Sequence, residues 1–199
     1  MPRTKNEALH AAREQQILDA ARKCFIAHGF HGTSMRQILD AADISSGGAY
    51  NYFSSKDDIV LALVEAERAD IDLLLKRLAD CAEPVDDISQ LVFDAIAYYR
   101  HEDAVLAAEI YAEACRNTVI EKVMQANMNR LSRLIRCTVS RGQKDQVVSK
   151  RYSANELTEW LLALMDGCIS RIAANPKLKP KQIARIAKRS ATVFLSHSK

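Results

Sequence analysis

The segment ISSGGAYNYFSSKDD, residues 44–58, contains two glycines, four serines and three aromatic residues directly before a long apolar run. Glycine costs a helix interior roughly 1 kcal/mol relative to alanine, and tyrosines beside serines have no evident core to fill. Packing alone does not explain this composition. If the segment forms a short helix, Gly47 and Gly48 leave part of its surface without side chains, so its backbone can lie close to another surface.

The residues before this segment predict two further helices. Apolar residues at helical spacing predict a first helix over residues 7–28 that ends at a glycine. Ser34 and Gln37 form a capping-box pattern for a short second helix, and Asp43 suits the left-handed corner after it. A third helix is predicted over about 45–51. Two short helices joined by a tight turn and packed on a longer one are the plan of a helix-turn-helix DNA-binding unit.

The polar side chains of the segment suit contacts with DNA. Hydroxyl groups donate to phosphate oxygens, so Tyr50 and Tyr52 are interpreted as clamps on the DNA backbone. The alternative is that either ring packs in the core. Lys56 adds a cation at the start of the next helix. Asn51 and Ser46 are the predicted readers of base edges, because an amide can pair with adenine at two atoms.

The rest of the chain is also predicted to be helical, since no window alternates as a strand does. A cap at Ser55 opens a long helix to about residue 81. The next helices are predicted at about 87–100, 103–115 and 118–141, the last capped by Thr118 and closed by Gly142, and two more follow residue 153. The predicted fold is all-α, with an N-terminal three-helix helix-turn-helix domain (residues 1–56) and a C-terminal helical ligand-binding and dimerisation domain (residues 57–199).

Charge and composition restrict the possible partners. Residues 1–56 carry 7 Lys+Arg against 5 Asp+Glu, residues 57–166 carry 13 against 20, and residues 167–199 carry 8 against none. Any contact with a polyanion is therefore expected at the two ends. The five cysteines lack the spacing of a metal site, and no window resembles a signal peptide or a membrane span. We expect a cytoplasmic protein that uses no membrane, metal or cofactor.

Residues 14–63 closely resemble the N-terminal domain of TetR/AcrR-family transcriptional regulators. The matching motifs, in order, are I-L-x-A-A-x-x-x-F, G-F-x-G-T-S, I-x-x-A-A and G-x-Y-x-Y-F-x-S-K-D. The resemblance implies a two-fold dimer whose helical C-terminal domain binds a small molecule and controls DNA affinity. It also implies that Thr33 contacts the sugar-phosphate backbone of the DNA and that Ser45 contacts a DNA groove. Asp43 departs from the family pattern, which usually has glycine at this corner.

From these observations we expect a ligand-responsive repressor that binds a palindromic double-stranded DNA operator as a homodimer and is released by a small-molecule effector. The predicted DNA-binding residues are Thr33, Ser34, Ser45, Ser46, Gly47, Tyr50, Asn51, Tyr52 and Lys56.

Two further sets of residues are predicted in the C-terminal domain. Aromatic, sulfur-containing and polar side chains on the central helices suit an adaptable ligand site; they are Tyr99, Tyr111, Glu113, Met124 and Met128. Apolar stripes on the last two helices predict a four-helix dimer interface, unless they pack only within the monomer; they are Leu157, Leu161, Leu164, Met165, Cys168, Ile172, Ile183, Ile186, Val193 and Phe194.

Two other classes of function compete with this interpretation. Glu109 and Glu113 lie one turn apart, as in a di-iron carboxylate enzyme, but such a site needs two Glu-x-x-His motifs and the sequence has one, in its N-terminal region. A helical small-molecule-binding or interaction protein without DNA binding is the other alternative. No catalytic residues are predicted.

Overall fold

The computed structural model describes residues 2–45, 51–79 and 82–196, and all regular structure in these ranges is helical. The prediction of an all-α fold is confirmed. The helices described are α1 (Pro2–Gly32), α2 (Met35–Ala41), α3 (Lys56–Ala79), α4 (Pro84–Ala97), α5 (His101–Ala114), α6 (Thr118–Lys144), α7 (Ala154–Ala174) and α8 (Pro180–Leu195). The predicted third helix, at about 45–51, falls mostly on residues 46–50, which lie outside the described part of the chain.

The first compact unit comprises Met1–Glu67 together with Glu109–Val123. Its core is apolar: Ile17 and Phe25 of α1, Ile38 of α2 and Ile59 of α3 are at most 1% exposed. We call this unit the head. It takes in a segment of α5 and α6 far along the chain, whereas the sequence places the DNA-binding domain in residues 1–56 alone. The functional boundary at residue 56 stays a prediction.

The second compact unit comprises Arg68–Ala108 and Met124–Lys199, and we call it the body. Helices α4, α7 and α8 pack against one another around a continuous apolar core. Ile88, Leu161 and Leu195 are completely buried in this core. Within the described residues, no helix combines the length and hydropathy needed to cross a membrane.

Local capping residues define the starts of several helices. The side chain of Ser34 accepts a hydrogen bond from the Gln37 amide while the Gln37 side chain accepts one from the Ser34 amide, so the predicted capping box is confirmed. The cap at Ser55 is also confirmed, since its Oγ accepts a hydrogen bond from the Asp58 amide at 3.1 Å. Such caps satisfy amides that have no partner inside the helix.

Two details of α6 differ from the sequence-based prediction. Asn117, and not Thr118, caps the helix: its Oδ1 accepts hydrogen bonds from the amides of Val119 at 3.0 Å and Ile120 at 3.4 Å. Gly142 lies inside α6 and does not end it. A Cβ at this glycine would lie 2.5 Å from Val148 Cγ2, so close packing, not helix termination, requires glycine here.

Candidate DNA-binding site

The corner after α2 has the geometry that a helix-turn-helix unit requires. Asp43 has a φ of 52°, which confirms the predicted left-handed conformation. The amide of Ile44 then donates to the Leu39 carbonyl at 3.0 Å, which closes the turn. Non-glycine residues with short polar side chains tolerate this conformation best. Asp43, where the family usually has glycine, therefore still adopts the left-handed conformation of the turn.

The turn leads directly into the predicted recognition segment. Ser45 is exposed at its start, and Asn51 is exposed where the described chain resumes. Neither side chain hydrogen-bonds to another group in the described part of the protein. Both are therefore free to meet an external partner. The predicted contacts Ser46, Gly47 and Tyr50 lie outside the described residues.

Tyr52 is half-buried, and its ring lies 4.6 Å from the ring of His10 on α1, measured between centroids. The ring therefore packs partly on α1. Ser34 is exposed, but its hydroxyl already takes part in the capping box. It accepts from the Gln37 amide and lies 2.8 Å from Oε1 of the Gln37 side chain. The DNA-contacting roles of both residues stay predictions.

Lys56 acts as a clamp inside the head. Its Nζ donates hydrogen bonds to the carbonyl oxygens of Phe30 at 2.7 Å and Thr33 at 2.6 Å. The same ammonium lies 4.5 Å from the centroid of the Phe30 ring, in a cation–π geometry. These carbonyls lie at the C-terminal end of α1, where the helix dipole favours a cation. Two of the three ammonium protons are thus used within the protein, and the predicted phosphate contact could use only the third.

The side chain of Thr33 is packed inside the head, since the residue is 1% exposed. Its hydroxyl lies within hydrogen-bond distance of two carbonyl oxygens, that of Gly29 at 2.8 Å and that of Cys24 at 3.1 Å, and has one proton to share between them. Hydroxyl groups bonded in this way satisfy carbonyls at a helix end. Thr33 therefore holds the end of α1 in place, and its implied contact with the DNA backbone stays a prediction.

Acidic and amide side chains from the distant segment Glu109–Val123 complete the head. Glu109 accepts a hydrogen bond from the Phe30 amide at 2.9 Å. This amide follows Gly29, whose φ of 71° breaks α1, and a Cβ on that glycine would lie 3.1 Å from Glu109 Oε2. Glu113 is 7% exposed and its Oε2 lies 3.2 Å from Nε2 of His31. The carboxylates are thus placed at the turn that ends α1.

Asn117 adds a third link within the head. Its Nδ2 donates to Oδ2 of Asp57 in the first turn of α3 at 2.8 Å, while its Oδ1 caps α6. One amide therefore joins the starts of two helices. Sequence reasoning did not assign these roles to Glu109 or Asn117. The sequence feature that marks this segment is the pair Glu109 and Glu113, one helical turn apart. The same spacing also fits a di-iron site, so the sequence alone does not identify their partners.

The di-iron alternative requires a cluster of metal-binding side chains. No group of three or more His, Cys, Asp or Glu side chains within the described ranges is arranged to hold a metal ion. Glu109 and Glu113 are engaged instead with Phe30 and His31.

The five residues predicted to bind a ligand do not fall in one unit. Tyr111, which is 43% exposed, and the buried Glu113 belong to the head. Tyr99 and Met128 belong to the body and pack against its core, and Met124 is half-buried in the same unit. The ligand-binding role of each stays a prediction.

The predicted dimer interface separates into two groups. Leu157, Leu161, Met165 and Ile172 are at most 4% exposed in the core of the body, so their assignment to an interface is wrong. The periodic stripe on α7 faces α4 and α8 of the same chain. Three residues of α8, in contrast, are exposed; they are Ile186 at 57%, Val193 at 72% and Phe194 at 42%.

The remaining predicted interface residues, Leu164, Cys168 and Ile183, are half-buried against the core. The Phe194 ring stacks on Trp160, with centroids 4.3 Å apart. The apolar surface available to a partner is therefore narrower than the sequence predicts, and is centred on Ile186, Val193 and Phe194.

Both parts of the chain match sequence models of known regulators. Residues 17–63 match the N-terminal model described as bacterial regulatory proteins of the tetR family. Residues 99–196 match the model described as the C-terminal domain of BetI-type transcriptional repressors.

Individual proteins agree with these matches. The transcriptional regulator UidR of Escherichia coli is 27% identical over 177 residues, which cover 85% of this chain and 86% of UidR. The transcriptional repressor AcnR of Corynebacterium diphtheriae is 28% identical over 180 residues, 87% of each chain. The crystal structure of NalD from Pseudomonas aeruginosa shares the fold, with a TM-score of 0.79 at 17% identity over 96% of this chain and 100% of NalD. With its helix-turn-helix corner and these matches over both parts of the chain, the protein belongs to the TetR family of DNA-binding transcriptional regulators.

Proposed function

We propose that this protein is a homodimeric repressor that binds a palindromic operator and leaves it when a small-molecule effector binds. One observation carries the DNA-binding part: the capped helix α2 ends in a left-handed corner at Asp43, which leads into a segment with exposed Ser45 and Asn51. The repressor sign is supported by the match of residues 99–196 to BetI-type repressors and by the likeness to AcnR.

The recognition segment supplies neutral donors to DNA. Ser45, Ser46 and Asn51 face the groove, and Tyr50 and Tyr52 contact the phosphate backbone. An amide that pairs with a base contributes about 1–3 kcal/mol of discrimination against the wrong base. Most of the remaining affinity comes from contacts with phosphates and therefore decreases as salt increases.

Selection of bound sequences from random duplex DNA tests this proposal. A dimeric repressor should select a palindrome with half-sites about one helical turn, or 34–36 Å, apart. Asn51→Ala should relax the preference at one base position, whereas Asn155→Ala, at an exposed asparagine of α7, should leave the preference unchanged. Recovery of no consensus sequence by the wild type would refute sequence-specific binding.

The dimer is proposed to form along α7 and α8. Ile186, Val193 and Phe194 provide the exposed apolar contacts. Gly167 lies on the exposed side of α7, and a Cβ placed there would meet nothing within 4 Å. Such a residue lets a neighbouring helix approach closely, and the glycine has no packing function in the monomer. Sedimentation of Val193→Glu, which puts a charge on this face, should show monomers where the wild type shows dimers.

The effector is proposed to act by changing the spacing between the two recognition segments of the dimer. A shift of a few ångströms takes them out of register with successive major grooves. An effector that prefers the shifted state weakens operator binding by its differential affinity, typically about 1–3 kcal/mol. If the effector strengthened operator binding, the proposal that it releases the protein from DNA would be wrong.

The proposed regulator has no catalytic activity of its own. Support comes from the carboxylates that first suggested an enzyme: Glu109 is hydrogen-bonded to the Phe30 amide, and Glu113 faces His31. Glu109→Gln keeps the acceptor oxygen at the Phe30 amide, so operator binding should persist. If the purified protein contained two irons per chain and the variant lost them, an enzyme would be the better interpretation.

A further inference from the structure

A cleft on the body lies between α4 and α8 and has no role in the function proposed above. It has a volume of about 300 Å³ and is lined by Gln90 and Phe93 of α4 and by Arg185, Lys188, Arg189 and Thr192 of α8. Small-molecule sites begin at about this volume. None of the residues predicted to bind the effector lines this cleft.

The cleft is strongly positive. Three of its six lining residues carry a positive charge and none is acidic. Arg185 and Arg189 are exposed and form no ion pair or hydrogen bond with any residue in the described ranges. They lie four residues apart on one helix, where like charges destabilise the helix. An anion bound between them would remove this repulsion.

Lys188 is held in place without being neutralised. Its Nζ donates to Oε1 of Gln90 at 2.6 Å, and the amide of Gln90 donates in turn to Oδ1 of Asp94 at 2.8 Å. Because Asp94 holds the NH2 group of Gln90, the amide oxygen is left to face the lysine. The partner of Lys188 in the cleft is therefore a neutral oxygen, and its charge remains available to a ligand.

The cleft also has polar and apolar contacts that fix its walls. The Thr192 hydroxyl lies 3.0 Å from Ser89 Oγ on α4 and 3.0 Å from the Lys188 carbonyl oxygen. Phe93 is half-buried against the core and presents the aromatic part of the lining. The walls thus belong to two helices that pack directly on each other through a buried core. A ligand would meet a fixed surface and not a loop.

We propose that this cleft binds a small organic anion, a carboxylate or phosphate group carried on a compact apolar body. Arg185 and Arg189 hold the anionic group, since guanidinium groups match the geometry of carboxylates and phosphates. Lys188 adds a third positive charge, and the apolar body of the ligand covers Phe93. None of the residues that line the cleft is a proposed operator contact. The proposal can therefore be tested independently of DNA binding.

Isothermal titration calorimetry with the full chain at constant ionic strength tests the proposal. The probe is phenyl phosphate, which has the required anion and a ring. Inorganic phosphate has the anion alone, and benzyl alcohol has the ring without the charge. Phenyl phosphate should bind saturably, and each of the other two compounds should bind at least about tenfold more weakly, because each lacks one of the two kinds of contact.

Variants locate the binding in the cleft. Arg185→Gln and Arg189→Gln should each weaken phenyl phosphate binding about tenfold, as expected for loss of a charge-assisted contact. Lys181→Gln is the matched control, because Lys181 is an exposed cation on the same helix that does not line the cleft. It should bind phenyl phosphate as the wild type does. Circular dichroism melts should show no loss of stability in any of the three variants, since the substituted side chains are exposed.

Three results would overturn the proposal. The first is no saturable binding of phenyl phosphate by a folded wild type. The second is equal weakening by Lys181→Gln, which would show a general effect of charge. The third is loss of non-specific DNA affinity in Arg185→Gln and Arg189→Gln without any change in phenyl phosphate binding, which would assign the cations to a polyanion surface.

Discussion

Replacement of Lys56 by methionine separates two roles for this residue. Methionine keeps much of the side-chain volume but removes the ammonium that donates to the Phe30 and Thr33 carbonyls at 2.7 and 2.6 Å. A hydrogen bond to a charged group contributes about 1.5–3 kcal/mol, and a cation–π contact at an exposed site about 0.5–1 kcal/mol. Because Lys56 is only half-buried, water partly replaces these contacts. We expect the free energy of unfolding to fall by about 2–4 kcal/mol.

Measurements of stability and of operator binding on the same variant distinguish a clamp from a phosphate ligand. Urea denaturation followed by circular dichroism reports the loss of stability, and hydrogen exchange should place that loss in the head. Operator binding at several salt concentrations reports the number of phosphate contacts, since each contributes about 0.9 to the slope of log K against log salt. A clamp predicts lower stability with an unchanged slope. Lys76→Met, at an exposed lysine of the same helix α3, should change neither quantity.

One result would refute the clamp. If Lys56→Met unfolded within about 0.5 kcal/mol of the wild type, which is typical of surface substitutions, while the salt slope decreased by about one, Lys56 would be a phosphate ligand. The two carbonyl contacts would then contribute little to the fold.

Three further predictions concern glycines and cysteines. Gly142→Ala should destabilise the body by about 1–3 kcal/mol, as expected for overpacking, because its Cβ would lie 2.5 Å from Val148 Cγ2; an unchanged melting temperature would contradict this. Gly167→Leu should leave the monomer stable but weaken dimerisation in sedimentation experiments, since a Cβ there meets nothing; an unaffected dimer would place the interface elsewhere. In alkylation followed by mass spectrometry, exposed Cys115 should react before Cys24, because burial protects Cys24 and raises the pKa of its thiol; the reverse order would show that the head opens readily.

The features that could be predicted from the sequence are local. The capping box of Ser34 and Gln37 lies within four residues, and the left-handed corner needs only a suitable residue at Asp43. Helical periodicity correctly predicts burial on α7. It cannot reveal which surface buries a residue, and for this reason the stripe predicts a dimer interface at Leu157 and Leu161, which pack within the monomer.

The features that were missed depend on residues far apart in the chain. Lys56 bonds to carbonyls 26 and 23 residues earlier, and Glu109 accepts a hydrogen bond from an amide 79 residues earlier. No spacing rule connects such positions. Asn117 was missed for another reason: Asn117 and Thr118 are both good capping residues, and the sequence pattern alone does not choose between them.

The participation of Glu109–Val123 in the head has a consequence for protein engineering. A chimaera that joined residues 1–67 to the C-terminal part of another regulator would keep the recognition segment but lose the native partners of the Phe30 amide and of Asp57. It would also replace Ile110 and Ile120, which are buried in the native protein. Transplanting the operator specificity of this protein therefore requires grafting two separate stretches of chain, or transferring only the few exposed residues that are proposed to touch DNA.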